Sequence, residues 1–360
     1  MVFSRIAPAR LFGQRINQPG LETAKEVVSW MGAMQAQDYA MAKWAIGIRS
    51  PGSTEEAVKI EIDRGAIIRT HLLRPTWHFV SADDIYWMLK LTAPRIKAGI
   101  LPRHQQLGLT EDVIQKSNAI IGKALMGGKH LSRRELVAEL NLAHIGTDNN
   151  RASHIFLRAE LDGLICSGAE QEGKPTYAIL EERVPKTKPL SKDEALARLA
   201  KLYFSSRCPA TLKDFTWWSG LTAKDASQAL IVVNKDLIAE KVDSQTYWRP
   251  NDFSFPGKEE KTVFLLPPYD EFFISYANRE ASLPVENQIN TISGNGIFRP
   301  VIVADGQVVG LWSRTIKRDR VLVESMLLTQ IDEITKSLIE KAAMQLGHFL
   351  GKQPELIIRD

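Results

Sequence analysis

The chain has 360 residues, of which 44% are apolar and 24% charged, and its formal net charge is +4. This composition excludes a disordered chain and is typical of a folded protein large enough for two or three domains. The N-terminal residues lack a signal-peptide core and no apolar run reaches the roughly 18 residues of a membrane span, so we expect a cytoplasmic protein. Cys166 and Cys208 are isolated, which excludes a disulfide framework and indicates two buried thiols.

The first predicted elements surround the sequence MGAMQAQDYAMAKWAIGI, residues 31–48. On a continuous helix Gln35 and Gln37 would point in different directions, because helix neighbours are three or four residues apart. Asp38 is a good N-cap, so the pattern predicts that one helix ends around QAQ and a second begins after Asp38. At such a junction the two amides converge on one spot.

Two later segments begin with the pattern of a capping box. Ser132 is followed by Glu135, and Thr211 is followed by Asp214. After the first of them, the sequence RASHIFLRAELDGLI has helical periodicity, and LICSGAEQEGKPTYAIL predicts a hairpin. The order of helix, turn, helix and hairpin is the plan of a winged helix.

The closing strand of this unit resembles two other segments of the chain. A threonine precedes an aromatic residue in RPTWHFV (74–80), KPTYAIL (174–180) and SQTYWRP (244–250), each just after a helical pair. The spacing predicts three tandem winged-helix units at 1–95, 96–185 and 190–255.

From about residue 262 the pattern changes to strands. TVFLLPPYDEFFISY is predicted to be extended, Asp305-Gly306 is a strong hairpin turn, and residues 329–350 have helical spacing. The predicted fold class is therefore α+β, in which the tandem winged helices are followed by a C-terminal cap of hairpin and helix at 256–360.

Basic residues are concentrated in two parts of the chain. Residues 95–134 hold eight basic and two acidic residues, and a second cluster follows VVGLW. Solvated surface is one explanation, and a polyanionic partner such as DNA is the other. The predicted DNA-binding residues are Arg69, Arg74, Arg133, Arg134, Arg151, Arg158, Arg314 and Lys317.

The amides of Gln35 and Gln37 limit the chemistry of the predicted site. An amide neither takes up nor releases a proton at neutral pH, so it cannot serve as a general base. It can hold and orient a water molecule through its carbonyl oxygen. Such help suffices for a leaving group that departs almost unaided. A cationic alkylated nucleobase is of this kind, because breaking its N-glycosidic bond neutralises its own charge.

The chain resembles the winged-helix DNA glycosylase superfamily in its AlkZ-like branch, whose motif is Gln-x-Gln. The resemblance is carried by LETAKEVVSWMGAMQAQDYAMAKWAIGIRS, RTHLLRPTWHFV, ATLKDFTWWSGL, LLPPYDEFFISY and FRPVIVADGQVVGLW. It implies a concave surface for double-stranded DNA and excision of alkylated or crosslinked purines without a metal or organic cofactor. We expect Gln35 and Gln37 to be catalytic and the protein to be a monomer.

The Thr-x-His element of the similar family matches Thr76 and His78, and it implies that they support a lesion pocket. A half-buried strand histidine is the alternative for His78. Asp270 and Glu271 form an acidic pair in an apolar setting, for which we expect a structural or pocket-rim role. Two functions remain open, a monofunctional DNA glycosylase and a non-catalytic winged-helix DNA-binding protein or regulator.

Overall fold

The computed structural model describes residues 2–18, 20–255, 260–284, 288, 290–294 and 296–359. These residues form two compact units. Unit 1 comprises the described residues of Met1–Lys59, Ala197–Trp218 and Thr222–Asp360, and unit 2 comprises Ile60–Leu196 and Ser219–Leu221.

The α-helices are distributed along the whole of the described chain. They are α1 (Ile6–Gly13), α2 (Ala24–Met31), α3 (Tyr39–Arg49), α4 (Glu55–Asp63), α5 (Ile85–Gln106), α6 (Glu111–Leu125), α7 (Arg133–Leu142), α8 (Arg151–Leu161), α9 (Leu180–Arg183), α10 (Lys192–Ser206), α11 (Leu212–Ser219), α12 (Ala223–Val233), α13 (Glu271–Ile274) and α14 (Glu333–Leu350).

The strands are short except near the C-terminus. They are β1 (Ala33–Gln35), β2 (Ile67–Leu72), β3 (Thr76–Ser81), β4 (Leu131–Ser132), β5 (Ile165–Ser167), β6 (Thr176–Ile179), β7 (Leu237–Val242), β8 (Gln245–Pro250), β9 (Val263–Leu266), β10 (Val301–Ala304), β11 (Gln307–Ile316), β12 (Arg320–Leu327) and β13 (Gln353–Arg359).

Unit 2 contains the predicted sequence of helix, helix and hairpin. Helices α6, α7 and α8 precede the hairpin of β5 and β6, and β4 completes a sheet of order β4-β6-β5. The predicted capping box at the start of α7 is confirmed, because Ser132 and Glu135 each accept a hydrogen bond from the other's backbone N–H. The helices and sheet enclose an apolar core that includes Ile121, Leu136 and Ile155, so burial of these side chains holds this part of unit 2 together.

Unit 1 repeats part of this order. Helices α10, α11 and α12 precede the hairpin of β7 and β8, and an antiparallel bridge joins Ala210 to Trp248. The second predicted cap is also present, because Thr211 and Asp214 exchange backbone-to-side-chain hydrogen bonds. The number of winged-helix units and the four domain boundaries stay predictions, and residue 256, where the fourth domain is predicted to begin, lies outside the described residues.

The C-terminal part of unit 1 is a five-stranded sheet of order β13-β12-β11-β10-β9. The predicted Asp305-Gly306 turn joins β10 to β11, with φ angles of 50° and 85°. Two residues with positive φ match the twist of a tight hairpin, which explains the Asp-Gly pair. Strand β13 runs parallel to β12, because α14 carries the chain back between them. The sheet is larger than the predicted hairpin.

One predicted strand is wrong. Strand β9 ends at Leu266, residues 267–270 include a turn, and Glu271–Ile274 form the one-turn helix α13 instead of continuing the strand. The Asp270 side chain caps this helix by accepting a hydrogen bond from the Phe272 backbone N–H at 2.8 Å. The capping residue Asp270 is therefore the sequence signal for the start of this helix. The apolar residues around it do not by themselves distinguish a helix from a strand.

Candidate functional site

The QAQ segment lies between two helices of unit 1. Helix α2 ends at Met31, and Gly32 follows with φ of 70°, a conformation that glycine adopts without strain. Asp38 caps α3 by accepting a hydrogen bond from the Met41 backbone N–H at 3.1 Å. The predicted break between helices and the predicted cap are confirmed, although α2 stops before QAQ and β1 occupies the gap.

The exposure of the segment alternates from residue to residue. Gln35 is half-buried, Ala36 is 0% exposed, and Gln37 is exposed. Strand β1 ends at Gln35, and the chain bends at Gln37. Both glutamines are therefore accessible at the surface of unit 1, while Ala36 between them is buried in the core.

A buried carboxylate holds the backbone of this segment. The Gln35 N–H donates to Glu271 Oε1 at 2.8 Å. The other oxygen, Oε2, accepts from Arg207 Nη2 at 2.7 Å and from Trp218 Nε1 at 3.0 Å. Both oxygens are therefore used, and the Glu271 side chain is fixed in one orientation.

The same arginine binds the chain just before Gln35. Arg207 Nη1 donates to the Met31 carbonyl at 2.7 Å, and Nη2 donates to the Ala33 carbonyl at 2.8 Å. These carbonyls flank Gly32, where the chain leaves α2. The Glu271–Arg207 pair consequently binds three backbone groups within five residues of chain, and it determines the path that presents Gln35.

The charge state of Glu271 follows from these contacts. Burial by itself raises the pKa of a carboxyl group, but the Arg207 charge and the hydrogen bonds outweigh it and lower the pKa of Glu271 to about 2. Glu271 is therefore ionised at neutral pH, and both of its oxygens accept hydrogen bonds. It is a structural anion and not a general base.

The neighbouring acid forms a second buried pair. Asp270 binds Arg49 through two hydrogen bonds of 2.9 Å, and neither side chain is exposed. Arg49 lies at the end of α3 and also donates to the Gln14 amide oxygen at 2.7 Å. Glu271 thus holds the chain before α3, and Asp270 holds the end of α3. The expected structural role of this acidic pair fits these contacts, and only the packing reveals its two arginine partners.

The predicted pocket residues Thr76 and His78 belong to the β2–β3 hairpin of unit 2. His78 is buried, and its Nδ1 donates to the Thr76 carbonyl at 2.9 Å. On the same hairpin the Arg69 guanidinium lies over the Trp77 ring at 4.3 Å, and Arg74 is half-buried. The pocket role of Thr76 and His78 stays a prediction.

Some of the predicted DNA-binding residues are exposed, and others form ion pairs or hydrogen bonds with groups of the protein. Arg133, Arg134 and Lys317 are exposed. Arg158 instead pairs with Glu111 at 2.7 Å and with Asp162 at 3.0 Å. Arg151 donates to the backbone carbonyls of Gly146 and Leu107. This geometry favours a structural role for Arg151 and Arg158, and their contact with DNA stays a prediction.

Arg314 is the basic residue whose surroundings connect it to the QAQ segment. It lies half-buried on β11 in unit 1. The pKa of Arg314 is lowered because burial disfavours its charge, while the carboxylates of Glu55 and Asp38 oppose the effect. In the described part of the chain its Nη1 has no hydrogen-bond partner. A half-buried cation therefore lies in the field of Asp38, the residue after Gln37, and its Nη1 atom is itself buried.

The described residues contain no group of three or more His, Cys, Asp or Glu side chains arranged to hold a metal ion. Over the same residues, no helix is long and apolar enough to cross a membrane.

Comparisons with known proteins give the family and the fold of the chain. The sequence profile of the family described as "DNA glycosylase AlkZ-like" matches residues 28–349. An "Interstrand DNA cross-link repair glycosylase" of Streptomyces sahachiroi is 24% identical over 332 residues, which are 84% of this chain and 86% of the relative. The solved structure of Streptomyces sahachiroi DNA glycosylase AlkZ has a TM-score of 0.82 at 19% identity and covers 100% of both chains, which supports the mixed α+β fold. The predicted family and enzyme class are confirmed, because the chain belongs to the AlkZ-like DNA glycosylase family.

Proposed function

We propose that this protein hydrolyses the N-glycosidic bond of alkylated or crosslinked purines in double-stranded DNA. The observation that carries the proposal is the pair of accessible amides in a segment whose backbone is bound by the Glu271–Arg207 pair. The family acts on DNA, and the name of the Streptomyces sahachiroi relative supports crosslinked purines as substrates.

In the proposed reaction the bond between C1′ and the purine nitrogen breaks, and the bonding electrons neutralise the cationic base. A water molecule adds to C1′ of the sugar cation and releases its proton to solvent. Gln35 and Gln37 accept hydrogen bonds from this water and orient it. Since the base leaves as a neutral molecule, no proton has to be donated to it, and a site without a general acid is sufficient.

Glu271 and Arg207 act in this proposal as positioning residues. Neither is exposed, so neither touches the substrate. Their hydrogen bonds fix the backbone before and at Gln35, which limits the positions that the amide can take. Preorganisation of this kind accelerates a reaction because no free energy is spent on ordering the site during the chemical step.

DNA is proposed to be held by exposed basic side chains of each unit together with Arg314. Phosphate oxygens are good acceptors for a guanidinium, and Arg314 is half-buried, so part of its side chain is accessible although its Nη1 atom is buried. Arg314 also lies in the field of Asp38, which follows Gln37 in the chain. We assign it to a phosphate near the lesion, and we assign Arg133, Arg134 and Lys317 to phosphates in general.

The test is an incubation of pure protein with duplex DNA that carries an alkylated purine, followed by alkali. Excision leaves an abasic site, which alkali converts into a strand break at the position of the lesion. Breaks with wild type and none with Gln37→Ala would support the proposal. Tight binding to the duplex without breaks would refute it in favour of the non-catalytic DNA-binding protein.

A further inference from the structure

Two neighbouring indoles of α11 lie in opposite environments. Trp218 is fully buried against Glu271, whereas Trp217 is 49% exposed. The Trp217 Nε1 donates to the Ile274 carbonyl at 3.0 Å, which ties the ring to the end of α13. Helix α13 begins with Glu271, so a fixed aromatic surface lies one helical turn from the residue that holds Gln35.

Further rings extend this surface. The Arg279 guanidinium carbon lies 5.6 Å from the centre of the Trp217 ring and 5.1 Å from the centre of the Phe298 ring. Arg279 is oriented by a hydrogen bond of 2.9 Å from its Nε to the Phe273 carbonyl. Phe298 in turn contacts Tyr269 at 6.0 Å between ring centres. We call Trp217, Arg279, Phe298 and Tyr269 the aromatic strip.

The far end of the strip lies near the QAQ segment. Burial raises the pKa of the Tyr269 phenol, and the negative charge of Asp38 raises it further. Tyr269 also lies two residues before Glu271, whose Oε1 accepts a hydrogen bond from the Gln35 backbone N–H at 2.8 Å. The strip therefore extends from Tyr269, next to the segment that binds Gln35, to Trp217 at the end of α13, and every member belongs to unit 1.

We propose that the aromatic strip stacks against nucleobases that have lost their pairing when a damaged purine is presented to Gln35 and Gln37. Alternating rings and a guanidinium match the chemistry of unpaired bases, which offer flat π faces to aromatic side chains and to arginine. Taking a base out of a duplex exposes its own face and that of its former partner. The inference rests on the proposed glycosylase function, because that reaction supplies the unpaired bases.

The experiment compares binding to two lesion-free probes of equal length, a fully paired duplex and a duplex with three unpaired thymines. Wild type is expected to bind the bulged probe more tightly. Trp217→Ala and Phe298→Ala are each expected to weaken binding to the bulged probe about tenfold, which is at the lower end of the stacking contribution of one base, and to leave the paired probe nearly unchanged. The salt dependence should not change, since neither residue carries charge.

Two controls separate stacking from general damage. Trp217→Phe keeps an aromatic ring and should retain most of the preference for the bulged probe. Ile231→Ala removes an apolar side chain of α12 that is 67% exposed, and it should affect neither probe. Melting curves confirm that each variant is folded. An equal loss on both probes, an unchanged preference, or a wild type that does not prefer the bulge would overturn the proposal.

The two proposals fail in different ways. Because the probes carry no damaged base, binding does not depend on excision. A bulge preference that requires Trp217, found together with no strand breaks in the alkali assay, would refute the glycosylase and retain the strip. Strand breaks at an alkylated purine with no bulge preference would refute the strip alone.

Discussion

Replacing Glu271 with glutamine tests whether the buried carboxylate positions the catalytic segment. Glutamine has nearly the same size, but it has one acceptor oxygen where Glu271 uses two. Its amide nitrogen would face a donor, either the Gln35 N–H or the Arg207 guanidinium. The Arg207 charge would also stay buried without its counter-ion, because that side chain is not exposed.

The expected loss in stability follows from the burial of the ion pair and from the pKa of Glu271. Removing one partner of a buried ion pair typically costs about 3–5 kcal/mol. Independently, the lowering of the pKa of Glu271 from 4.5 to about 2 corresponds to about 3 kcal/mol of stability at neutral pH. We therefore expect the free energy of unfolding of Glu271→Gln to fall by about 3 kcal/mol or more at pH 7.

The pH dependence has a defined sign. A carboxyl group whose pKa is lower in the folded state stabilises the fold above its unfolded pKa, and this contribution is lost as the pH falls towards the folded pKa. For Glu271 the window runs from 4.5 down to about 2. The free energy of unfolding of wild type should decrease as the pH falls through this window. Glu271→Gln should not show this part of the decrease.

The assay combines denaturant unfolding with single-turnover excision on an alkylated duplex, at a temperature where each variant is folded. Glu271→Gln should excise about 100-fold more slowly with DNA affinity retained, because positioning acts on the transition state. Asp270→Asn is the matched control, since it disrupts an equally buried pair that makes no hydrogen bond to QAQ backbone groups. It should lose stability and retain excision. Equal losses of excision in both variants would refute the positioning role.

The remaining predictions concern catalysis, charge, backbone and metals. Gln37→Ala should reduce excision about 100-fold with little change in DNA affinity, as measured by single-turnover rates and titration, and parallel losses would contradict water positioning. Arg134→Ala should flatten the slope of log affinity against log salt by about one unit, whereas Arg158→Ala should lower stability and leave that slope unchanged. Gly220→Ala should destabilise the protein by about 2 kcal/mol or more in denaturant unfolding, because φ is +65° and a Cβ atom would lie 2.3 Å from the Leu73 carbonyl oxygen. EDTA should leave excision unchanged, and inhibition that added metal reverses would contradict this.

Features that depend on neighbouring residues could be predicted from the sequence. Asp38 caps α3, Ser132 and Glu135 form a capping box, and Asp305-Gly306 turns a hairpin, because each of these interactions is completed within a few residues. The Gln-x-Gln motif is equally local, so its resemblance to the AlkZ-like branch is visible in the sequence alone.

Only the tertiary structure decided which residues support that motif. Glu271 binds the Gln35 backbone across 236 residues of chain, and Arg207 joins Glu271 across 64 residues. Two adjacent tryptophans also lie in different environments, since Trp218 is buried beside Glu271 and Trp217 is exposed. Local propensity carries no information about partners that are brought together by packing of the whole unit, because burial and pairing depend on which distant surfaces meet.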